Sequence, residues 1–312
     1  MTRVAALDCG TNSLRLLISD VDGDRLTDVV RAMEIVRLGE GVDETGRFAP
    51  AALERTFAAL DRYAGEIVRH GVELVRMVAT SATRDAANRD EFLAGVRDRL
   101  GVEPDVVSGD EEAELSFAGA TVELRGTGTF PAPYAVCDIG GGSTEFVVGD
   151  DSGVFAARSV DIGCVRMTER HLRHDPPTAE QIAAATGDID AAIALVATTV
   201  PLDKAATLVG LAGSVTTVAA LVLGLPAYDA ERIHHARLSA AEVAETAAVL
   251  LAMPRAERAN LGPMHPGRVD VIGAGALVLD RIMRVGEFDE VVVSEHDILD
   301  GIALSLVGGA QW

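Results

Sequence analysis

The chain has 312 residues, of which 48% are hydrophobic, 24% charged and 4% aromatic. A chain of this length predicts two domains, and its composition excludes a disordered chain, a collagen-like repeat and a disulfide-stapled miniprotein. The formal charge of −21 is divided almost equally between residues 1–124 and the remainder, so no basic region exists to bind nucleic acid. A polyanionic ligand would therefore need metal ions, backbone N–H groups and local arginines.

Cysteine and lysine usage excludes further classes. Cys9, Cys137 and Cys164 follow neither a metal-binding spacing nor an even-numbered disulfide pattern, which predicts a reducing compartment and hence the cytoplasm. Lys204 is the only lysine and is followed by alanine, so the Gly-Lys-Ser/Thr phosphate loop is absent. The uncharged stretch 205–228 is interrupted by glycine, serine and threonine, which disfavours a membrane span.

An internal repeat appears when the sequence is compared with itself at an offset of 130 residues. The identities that fall in one register without a gap are Asp8/Asp138, Gly10/Gly140, Ser13/Ser143, Asp20/Asp150 and Gly23/Gly153. Each copy consists of an apolar strand, a tight Gly/Ser/Thr turn, a second apolar strand and an Asp/Gly hairpin turn. The repeat predicts two duplicated α/β domains.

The segments that follow each copy alternate between helix and strand patterns. After the first copy, the pattern predicts a helix over 50–70, a buried strand over 73–79 and a helix over 86–100. After the second copy, it predicts a strand over 208–211, helices over 214–223 and 240–252, and a strand over 290–293. The Gly/Pro-rich stretch 126–133 predicts the boundary between the domains.

The repeated turn has the parts of a phosphate and metal site. A glycine-rich turn can direct several backbone N–H groups at one point, and a carboxylate at the end of a strand can hold a divalent ion against the bound phosphate. The stretch Asp138–Glu145 contains these groups, although a plain hairpin turn is the structural alternative. Arg15 in the first copy is replaced by Glu145 in the second. One copy would therefore offer a cation to phosphate and the other an anion to metal.

The first copy also fits a different enzyme class. Cys9 and Arg15 satisfy the Cys-x5-Arg pattern of cysteine phosphatases, in which a thiolate attacks phosphorus and the arginine binds its oxygens. Two features argue against this alternative. Ile139 stands where the duplicate would need a cysteine, and Arg15 leads into a strand pattern where a helix is expected.

Four acidic residues mark the start of a predicted helix within the stretch 108–117. Ser108 can cap this helix, and carboxylates in its first turn are favoured by the helix dipole, which is the structural interpretation. In the functional interpretation, one of these carboxylates is a general base that takes a proton from an attacking water.

Three further features have both a functional and a structural interpretation. Arg84 sits between a strand and a helix, where it can reach a ligand or simply pair with Asp85. Gly213 and Ser214 belong to a third Gly/Ser/Thr turn before a helix, which suits an anion or close packing. The histidines, including His234 and its neighbour, lack a metal-binding spacing, which favours surface or core histidine.

Together these motifs resemble the Ppx/GppA exopolyphosphatase and guanosine pentaphosphatase family. The resemblance covers essentially the whole chain and rests on the stretches 8–16, 37–41, 79–86, 108–113, 138–145 and 163–169. The chain looks most like the short actinobacterial members, which stop after two core domains. Cys9 and Thr11 stand where the family often has an aliphatic residue and serine.

The resemblance implies an α/β fold of two duplicated ribonuclease-H-like domains, as in actin and sugar kinases, around a central cleft. The first domain is expected over 1–125 and the second over 126–297. A final helix over about 298–312 would pack back on the first domain.

The resemblance also implies roles for individual residues. Glu112 would be the general base. The residues expected to bind phosphate are Asn12, Ser13, Arg15, Arg84, Gly140, Gly141, Gly142, Ser143, Gly213 and Ser214. The expected ligands of Mg²⁺ are Asp138 and Glu145, with Asp8 as a third. Mn²⁺ is expected to substitute for Mg²⁺, and a monovalent cation is a further candidate.

The implied activity is metal-dependent hydrolysis of the terminal phosphate of inorganic polyphosphate. Alternatives are a guanosine pentaphosphate 5′-phosphohydrolase, a regulatory protein that binds the alarmone with little turnover, and an ATP-dependent sugar or acetate kinase on the same fold. A homodimer is expected, with neither a nucleic-acid nor a membrane partner.

Overall fold

The computed structural model describes residues 1–124 and 129–307. The chain forms two units. One contains Met1–Val122 and the segment that begins at His296, and the other is Glu123–Glu295. The predicted boundary at 125/126 and the predicted helix residues 308–312 lie outside the described residues. The segment that returns to the first unit begins at His296, and Oδ1 of Asp297 accepts the Leu299 N–H at the start of the last helix.

The strands of the first unit are β1 (Thr2–Cys9), β2 (Ser13–Asp22), β3 (Arg25–Ile35), β4 (Leu74–Ala79) and β5 (Asp105–Val106). Those of the second unit are β6 (Tyr134–Ile139), β7 (Thr144–Asp150), β8 (Gly153–Val160), β9 (Thr207–Leu211), β10 (Arg237–Ser239) and β11 (Glu290–Val293).

The first unit contains the helices α1 (Val42–Thr45), α2 (Pro50–Arg69), α3 (Ser81–Asp85), α4 (Arg89–Leu100) and α5 (Gly109–Thr121). The second contains α6 (Cys164–Arg170), α7 (Ala179–Ala197), α8 (Ala212–Val222), α9 (Ala230–Ile233), α10 (Ala240–Ala252), α11 (Arg255–Arg258) and α12 (Ile272–Val285). The helix α13 (Ile298–Val307) belongs to the first unit, and short 3₁₀ turns lie at Leu202–Lys204 and Pro266–Arg268.

The two sheets repeat one topology, as the internal repeat predicts. The first has the strand order β3-β2-β1-β4-β5, with β1 antiparallel to β2 and parallel to β4. The second contains the same arrangement as β8-β7-β6-β9-β11, with β10 added at the edge beside β11. This is the ribonuclease-H-like order, and the predicted fold class is confirmed. Gly23 and Gly153, at the second hairpin turn of each copy, both take positive φ, which glycine adopts without strain.

The predicted elements are present, within a few residues at their ends. The helix predicted over 50–70 is α2, the strand predicted over 73–79 is β4, and the strand predicted over 290–293 is β11. The long helices α7 and α12 were not predicted from the sequence. Alanine dominates α7, so it shows no clear apolar stripe with helical period, and two glycines lie in the first turn of α12, where a helix is not expected.

Side chains alternate across β1 and so divide the first unit into two packing layers. Ala5, Leu7 and Cys9 belong to one apolar cluster, which also contains residues of α2 and α4. Val4 and Ala6 belong to a second cluster on the other face, with residues of α5 and α13. Asp8 therefore points toward the α5 and α13 side of the sheet, away from Cys9.

Two glycines allow α5 and α13 to cross at close range. A Cβ atom on Gly119 would lie 1.9 Å from the carbonyl oxygen of Asp297, and one on Gly301 would lie 2.0 Å from that of Leu115. Real Cβ atoms do not approach backbone this closely, so only glycine fits at either position. The contact fixes α5, whose first turn contains the predicted general base.

Within the described ranges, no helix has both the length and the apolar character that crossing a bilayer requires.

Candidate active site

Three motifs of the first unit meet at one edge of its sheet. The strands β1, β4 and β5 are parallel, so the segments that follow them leave from the same edge. These segments are the β1–β2 turn, α3 and the start of α5. A 3.0 Å hydrogen bond between the hydroxyl groups of Thr11 and Ser81 joins the first two. This hydrogen bond joins two motifs whose residues are 70 positions apart in sequence.

Glu112 lies in the first turn of α5 and is held by Arg84. Its side chain is only 11% exposed, and its Oε2 atom accepts a 2.7 Å hydrogen bond from Nη1 of Arg84. The same Nη1 donates to the carbonyl oxygen of Val107 at 3.0 Å. Ser108 caps the helix, because its hydroxyl oxygen accepts from the Glu111 N–H at 3.1 Å. The structural interpretation, a cap at Ser108, is confirmed, and the general-base role of Glu112 stays a prediction.

Glu111 has a different environment. Its side chain is 47% exposed and accepts a 3.0 Å bond from Arg76. Arg76 also pairs with Asp105 at 2.9 Å. Of the two adjacent glutamates, Glu112 is therefore the one that is buried beside Arg84.

The β1–β2 turn is fixed by its backbone. Gly10 N–H donates to the Ser13 carbonyl at 3.0 Å, and the Asn12 carbonyl accepts from Val36 and Arg37 at 3.0 and 2.9 Å. A Cβ atom on Gly39 would lie 2.3 Å from Cγ2 of Thr11, which explains the first of the two glycines in the 37–41 motif. Asn12 and Ser13 therefore lie in a well-anchored turn at this edge.

Arg15 forms ion pairs with two aspartates of its own unit. Its Nε and Nη2 donate to Oδ2 of Asp8 at 2.9 and 2.7 Å, and its Nη1 donates to Asp297. Burial raises the pKa of Asp8, although Arg15 opposes the shift. Burial acts in the same direction on Asp297, but Arg15 and Arg31 outweigh it and lower the pKa of that carboxyl. The phosphate contact of Arg15 and the metal role of Asp8 stay predictions.

The cysteine-phosphatase alternative does not fit this structure. Cys9 is buried in the apolar layer opposite Asp8. Burial, and then the charge of Asp8, raises the pKa of its thiol well above the ordinary value. Arg15 lies within β2 and not at the start of a helix. A nucleophilic thiolate is therefore disfavoured at this position.

The triple-glycine turn of the second unit is held by the start of α6. The carbonyl of Gly140 accepts from Cys164 at 2.9 Å, that of Gly141 from Val165 at 2.8 Å, and that of Gly142 from Nε of Arg166 at 2.8 Å. Within residues 1–124 and 129–307, the N–H groups of Gly141 and Gly142 have no acceptor. With its carbonyls held on one side, the turn can present these N–H groups to an anion.

Gly163, which precedes α6, contacts the same turn. A Cβ atom there would lie 2.4 Å from the carbonyl carbon of Gly141. Close packing between two segments of backbone therefore explains the glycine that opens the 163–169 motif. Ser143, the last residue of the turn, is buried.

Asp138 and Glu145 face each other across the β6–β7 ladder. They are direct partners in its antiparallel register, and both are buried. Opposed residues of such a ladder share one face, with Cβ atoms about 4.5–5.5 Å apart. Oε1 of Glu145 also accepts a 2.7 Å bond from the Ser159 hydroxyl. Two opposed carboxylates of this kind suit a hard divalent cation.

Arg268, which no sequence motif identified, packs on the third Gly/Ser/Thr turn at Gly213 and Ser214. A Cβ atom on Gly213 would lie 2.0 Å from Nη2 of Arg268, so this guanidinium packs directly on the turn. Burial raises the pKa of the Cys164 thiol, while its hydrogen bond to Ser214 and the charge of Arg268 act in the opposite direction. Arg268 lies outside all the motifs above and is 55 residues from Gly213 in sequence, so no local pattern could have identified it.

One histidine cluster of the second unit has potential metal ligands. Ligand atoms of Glu123, His234 and His235 lie within 4.8 Å of one another. However, Nδ1 of His234 accepts the Glu295 N–H at 3.1 Å. Its Nε2 must then carry the proton and donate to Glu123 at 3.0 Å. A protonated nitrogen does not bind a metal, so this contact is a structural hydrogen bond.

Comparison with known proteins finds relatives that cover nearly the whole chain. The chain is 52% identical to a Mycobacterium tuberculosis protein named Exopolyphosphatase 2, and the alignment covers 99% of each. Its structure matches the crystal structure of an exopolyphosphatase-like protein with a TM-score of 0.94 at 47% identity, covering 97% of each chain. It also matches the Aquifex aeolicus member of the Ppx/GppA family with a TM-score of 0.80 at 30% identity, again over 97% of each chain.

The family model matches nearly the whole length of the chain, from residue 17 to residue 309. The motifs of both units, the duplicated ribonuclease-H-like topology and these relatives agree. The chain belongs to the Ppx/GppA phosphatase family.

Proposed function

We propose that this protein is an exopolyphosphatase, which transfers the terminal phosphoryl group of inorganic polyphosphate to water and releases orthophosphate. The observation on which hydrolysis rests is the buried Glu112 carboxylate at the start of α5, held by Arg84. The substrate class rests on the relative named Exopolyphosphatase 2.

Glu112 is the proposed general base. A base must be deprotonated and positioned to accept the proton of the attacking water. The 2.7 Å hydrogen bond from Arg84 fixes the orientation of the carboxylate. The carboxylate of Glu112 is the proposed proton acceptor.

Asp138 and Glu145 are the proposed ligands of Mg²⁺, with Mn²⁺ as a substitute. Their opposed, buried carboxylates supply the hard oxygen ligands that these ions prefer. When bound, the ion supplies charge neutralisation for the phosphoryl oxygens, which is a major part of catalysis in phosphoryl transfer.

The remaining residues are proposed to bind the phosphate chain. The N–H groups of the Gly140–Gly142 turn and the anchored Asn12–Ser13 turn suit phosphate oxygens. Arg84 and the Gly213–Ser214 turn, against which Arg268 packs, add local positive charge and N–H donors. These groups would offset the repulsion that the net charge of −21 imposes on a polyanion.

The experiment that tests this function measures phosphate release from polyphosphate and guanosine pentaphosphate side by side while magnesium is titrated. Both substrates end in a phosphoanhydride, so the same base and cation serve either. We expect the larger kcat/KM for polyphosphate. A larger value for guanosine pentaphosphate would favour the 5′-phosphohydrolase, and alarmone binding without turnover would favour a regulatory protein.

We also propose a compartment and an oligomeric state for this protein. All three cysteines are free and buried, which agrees with a reducing compartment such as the cytoplasm. We expect the active form to be a homodimer, which sedimentation of the purified protein would test directly.

A further inference from the structure

Asp297 lies between β11 and α13, outside all the motifs of the sequence analysis, and contacts two parts of the first unit that the proposed function uses. Its side chain is only 8% exposed. Its Oδ2 atom accepts a hydrogen bond from Nη1 of Arg15, and its backbone packs against Gly119 of α5. Asp297 therefore joins the β1–β2 hairpin to the helix that contains Glu112.

The contact with the hairpin lies next to the proposed phosphate turn. Arg15 and Asp8 are direct partners in the β1–β2 ladder, one pair away from the turn. Arg15 donates to Asp8 at 2.9 and 2.7 Å, while its Nη1 donates to Asp297. Hydrogen bonds between ionised partners are short and strong. The guanidinium therefore ties both strands that flank the turn to the start of α13.

The contact with α5 is between two segments of backbone. The carbonyl oxygen of Asp297 occupies the space that a Cβ atom on Gly119 would need, so α5 and the start of α13 meet without a side chain between them. Gly119 lies about two helical turns after Glu112. The backbone hydrogen bonds of the helix keep these two residues at a fixed separation, so the position of Asp297 also sets that of the proposed base.

Asp297 is itself held by its neighbours. Its Oδ1 accepts the Leu299 N–H at 3.0 Å, and its own N–H donates to Oδ2 of Asp300 at 2.9 Å. Asp300 is fully buried and pairs with Arg31 of β3 at 2.5 and 3.2 Å. The side chain and the backbone of Asp297 thus each have a support of their own, which a residue that fixes the position of others needs.

We propose that Asp297 is a positioning residue, which holds the β1–β2 phosphate turn at the distance and orientation that Glu112 requires. The inference rests on the proposed function, because it takes this turn to bind phosphate and Glu112 to be the base. Water activated by the base must attack the phosphorus in line, and a misplacement of about 1 Å can cost about 10²-fold in rate. Asp297 acts through Arg15 and α5, not on the reacting atoms.

Asp297→Asn removes the link to the hairpin with little other change. The amide oxygen can accept the Leu299 N–H, whereas the charge that pairs with Arg15 is lost. We expect kcat for polyphosphate to fall by about tenfold to a hundredfold, because the turn is no longer held in register with the base. KM should change much less than kcat. Steady-state phosphate release at saturating magnesium measures both constants.

The matched control lies at the other end of the same ladder. Asp20 accepts from Arg3 through both of its oxygens at 2.8 Å, so Asp20→Asn also breaks an arginine–aspartate pair of the β1–β2 hairpin. This variant should retain near-normal kcat. An equal fall of kcat in the two variants would overturn the inference, because any weakening of the hairpin would then have the same effect.

A double-mutant cycle with Glu112→Gln separates positioning from a general structural role. A residue that aligns the turn with the base has little left to affect once the base is removed. Asp297→Asn should therefore lower kcat by no more than about twofold in the Glu112→Gln background. The same fold loss in both backgrounds would overturn the inference. Near-normal kcat in Glu112→Gln alone would instead contradict the proposed base, and the inference with it.

Circular dichroism and the melting temperature establish that each variant is folded at the assay temperature. If Asp297→Asn does not fold, Asp300→Asn enters the same cycle. Its amide oxygen can still accept the Asp297 N–H, while the charge that pairs with Arg31 is lost. A fall of kcat in Asp300→Asn that disappears in the Glu112→Gln background supports the inference, and an unchanged kcat overturns it.

Discussion

Glu111 and Glu112 are neighbours in sequence but differ in surroundings, and this difference supports the choice of base. Glu112 is buried beside Arg84, whereas Glu111 is half-exposed and pairs with Arg76. A carboxylate that must hold one orientation toward a water molecule needs the first environment, because fixed geometry is what general-base catalysis requires.

We therefore predict that Glu112→Gln lowers kcat by about 10²–10⁴-fold with little change in KM. The amide oxygen can still accept the hydrogen bond from Arg84, but the side chain can no longer take a proton. Steady-state phosphate release measures both constants. The control is Glu111→Gln, which should retain near-normal turnover, and the opposite pattern in the two variants would place the base at Glu111.

A second residue-scale prediction concerns Cys9. Cys9→Ser should keep most of the activity, because the thiol is buried opposite Asp8 and its pKa is raised. The measurement is phosphate release by the variant, together with mass spectrometry of the wild-type enzyme quenched during turnover. An inactive variant and a trapped phosphocysteine would restore the cysteine-phosphatase mechanism.

At the scale of elements, the β6–β7 hairpin and the crossing of α5 with α13 have different structural roles. The hairpin places two carboxylates on one face by its register alone. The crossing fixes α5 through Gly119 and Gly301. We therefore expect changes in the hairpin to alter metal use and changes at the crossing to alter stability.

Asp138→Asn and Glu145→Gln should each raise the magnesium concentration needed for half-maximal activity by at least about tenfold. Even partners outside the first shell of a metal are worth about 10–100-fold in affinity. Magnesium titration of phosphate release measures the effect. Asp151→Asn, which changes an exposed acid in the β7–β8 turn, is the matched control, and an equal shift in that variant would refute the metal assignment.

Gly301→Ala should lower the free energy of unfolding by about 1–3 kcal/mol, the usual cost of overpacking. The new Cβ would meet the Leu115 carbonyl at 2.0 Å. The control is Gly65→Ala, since Gly65 lies in α2 with nothing within 4 Å of its Cβ position. That change should instead stabilise by about 0.5–1 kcal/mol. Denaturant unfolding compares the two, and equal effects would contradict the packing account.

The sequence predicts local features well and distant contacts poorly, and the difference has a physical cause. The period-2 alternation of β1 is enough to place Asp8 and Cys9 on opposite faces, and the repeat is enough to align Arg15 with Glu145. In contrast, Arg15 and Asp297 are 282 residues apart, and Arg268 reaches Gly213 only through the fold. Such contacts depend on tertiary packing, on which local patterns carry no information.

At the scale of the whole molecule, the charge of −21 bears on how the enzyme treats a long substrate. Repeated cleavage without release needs an extended row of cations that holds the polyanion after each step. Among the residues that the structure describes, the proposed phosphate contacts include local arginines of each unit, such as Arg84 and Arg268. We therefore predict that a monomeric preparation is distributive. On a gel, long polyphosphate should shorten as a population through intermediate lengths, and full-length substrate beside free orthophosphate without intermediates would contradict this.

The central claim, hydrolysis of the terminal phosphoanhydride by water, is tested most directly by the isotope content of the released phosphate. Polyphosphate is incubated with the enzyme and magnesium, without any acceptor, in water enriched in oxygen-18, and the orthophosphate is examined by mass spectrometry. Attack of water on the terminal phosphorus predicts one labelled oxygen in each orthophosphate and none in the shortened chain. Label in the shortened chain, or phosphate transfer that occurs only when an acceptor is added, would contradict the account.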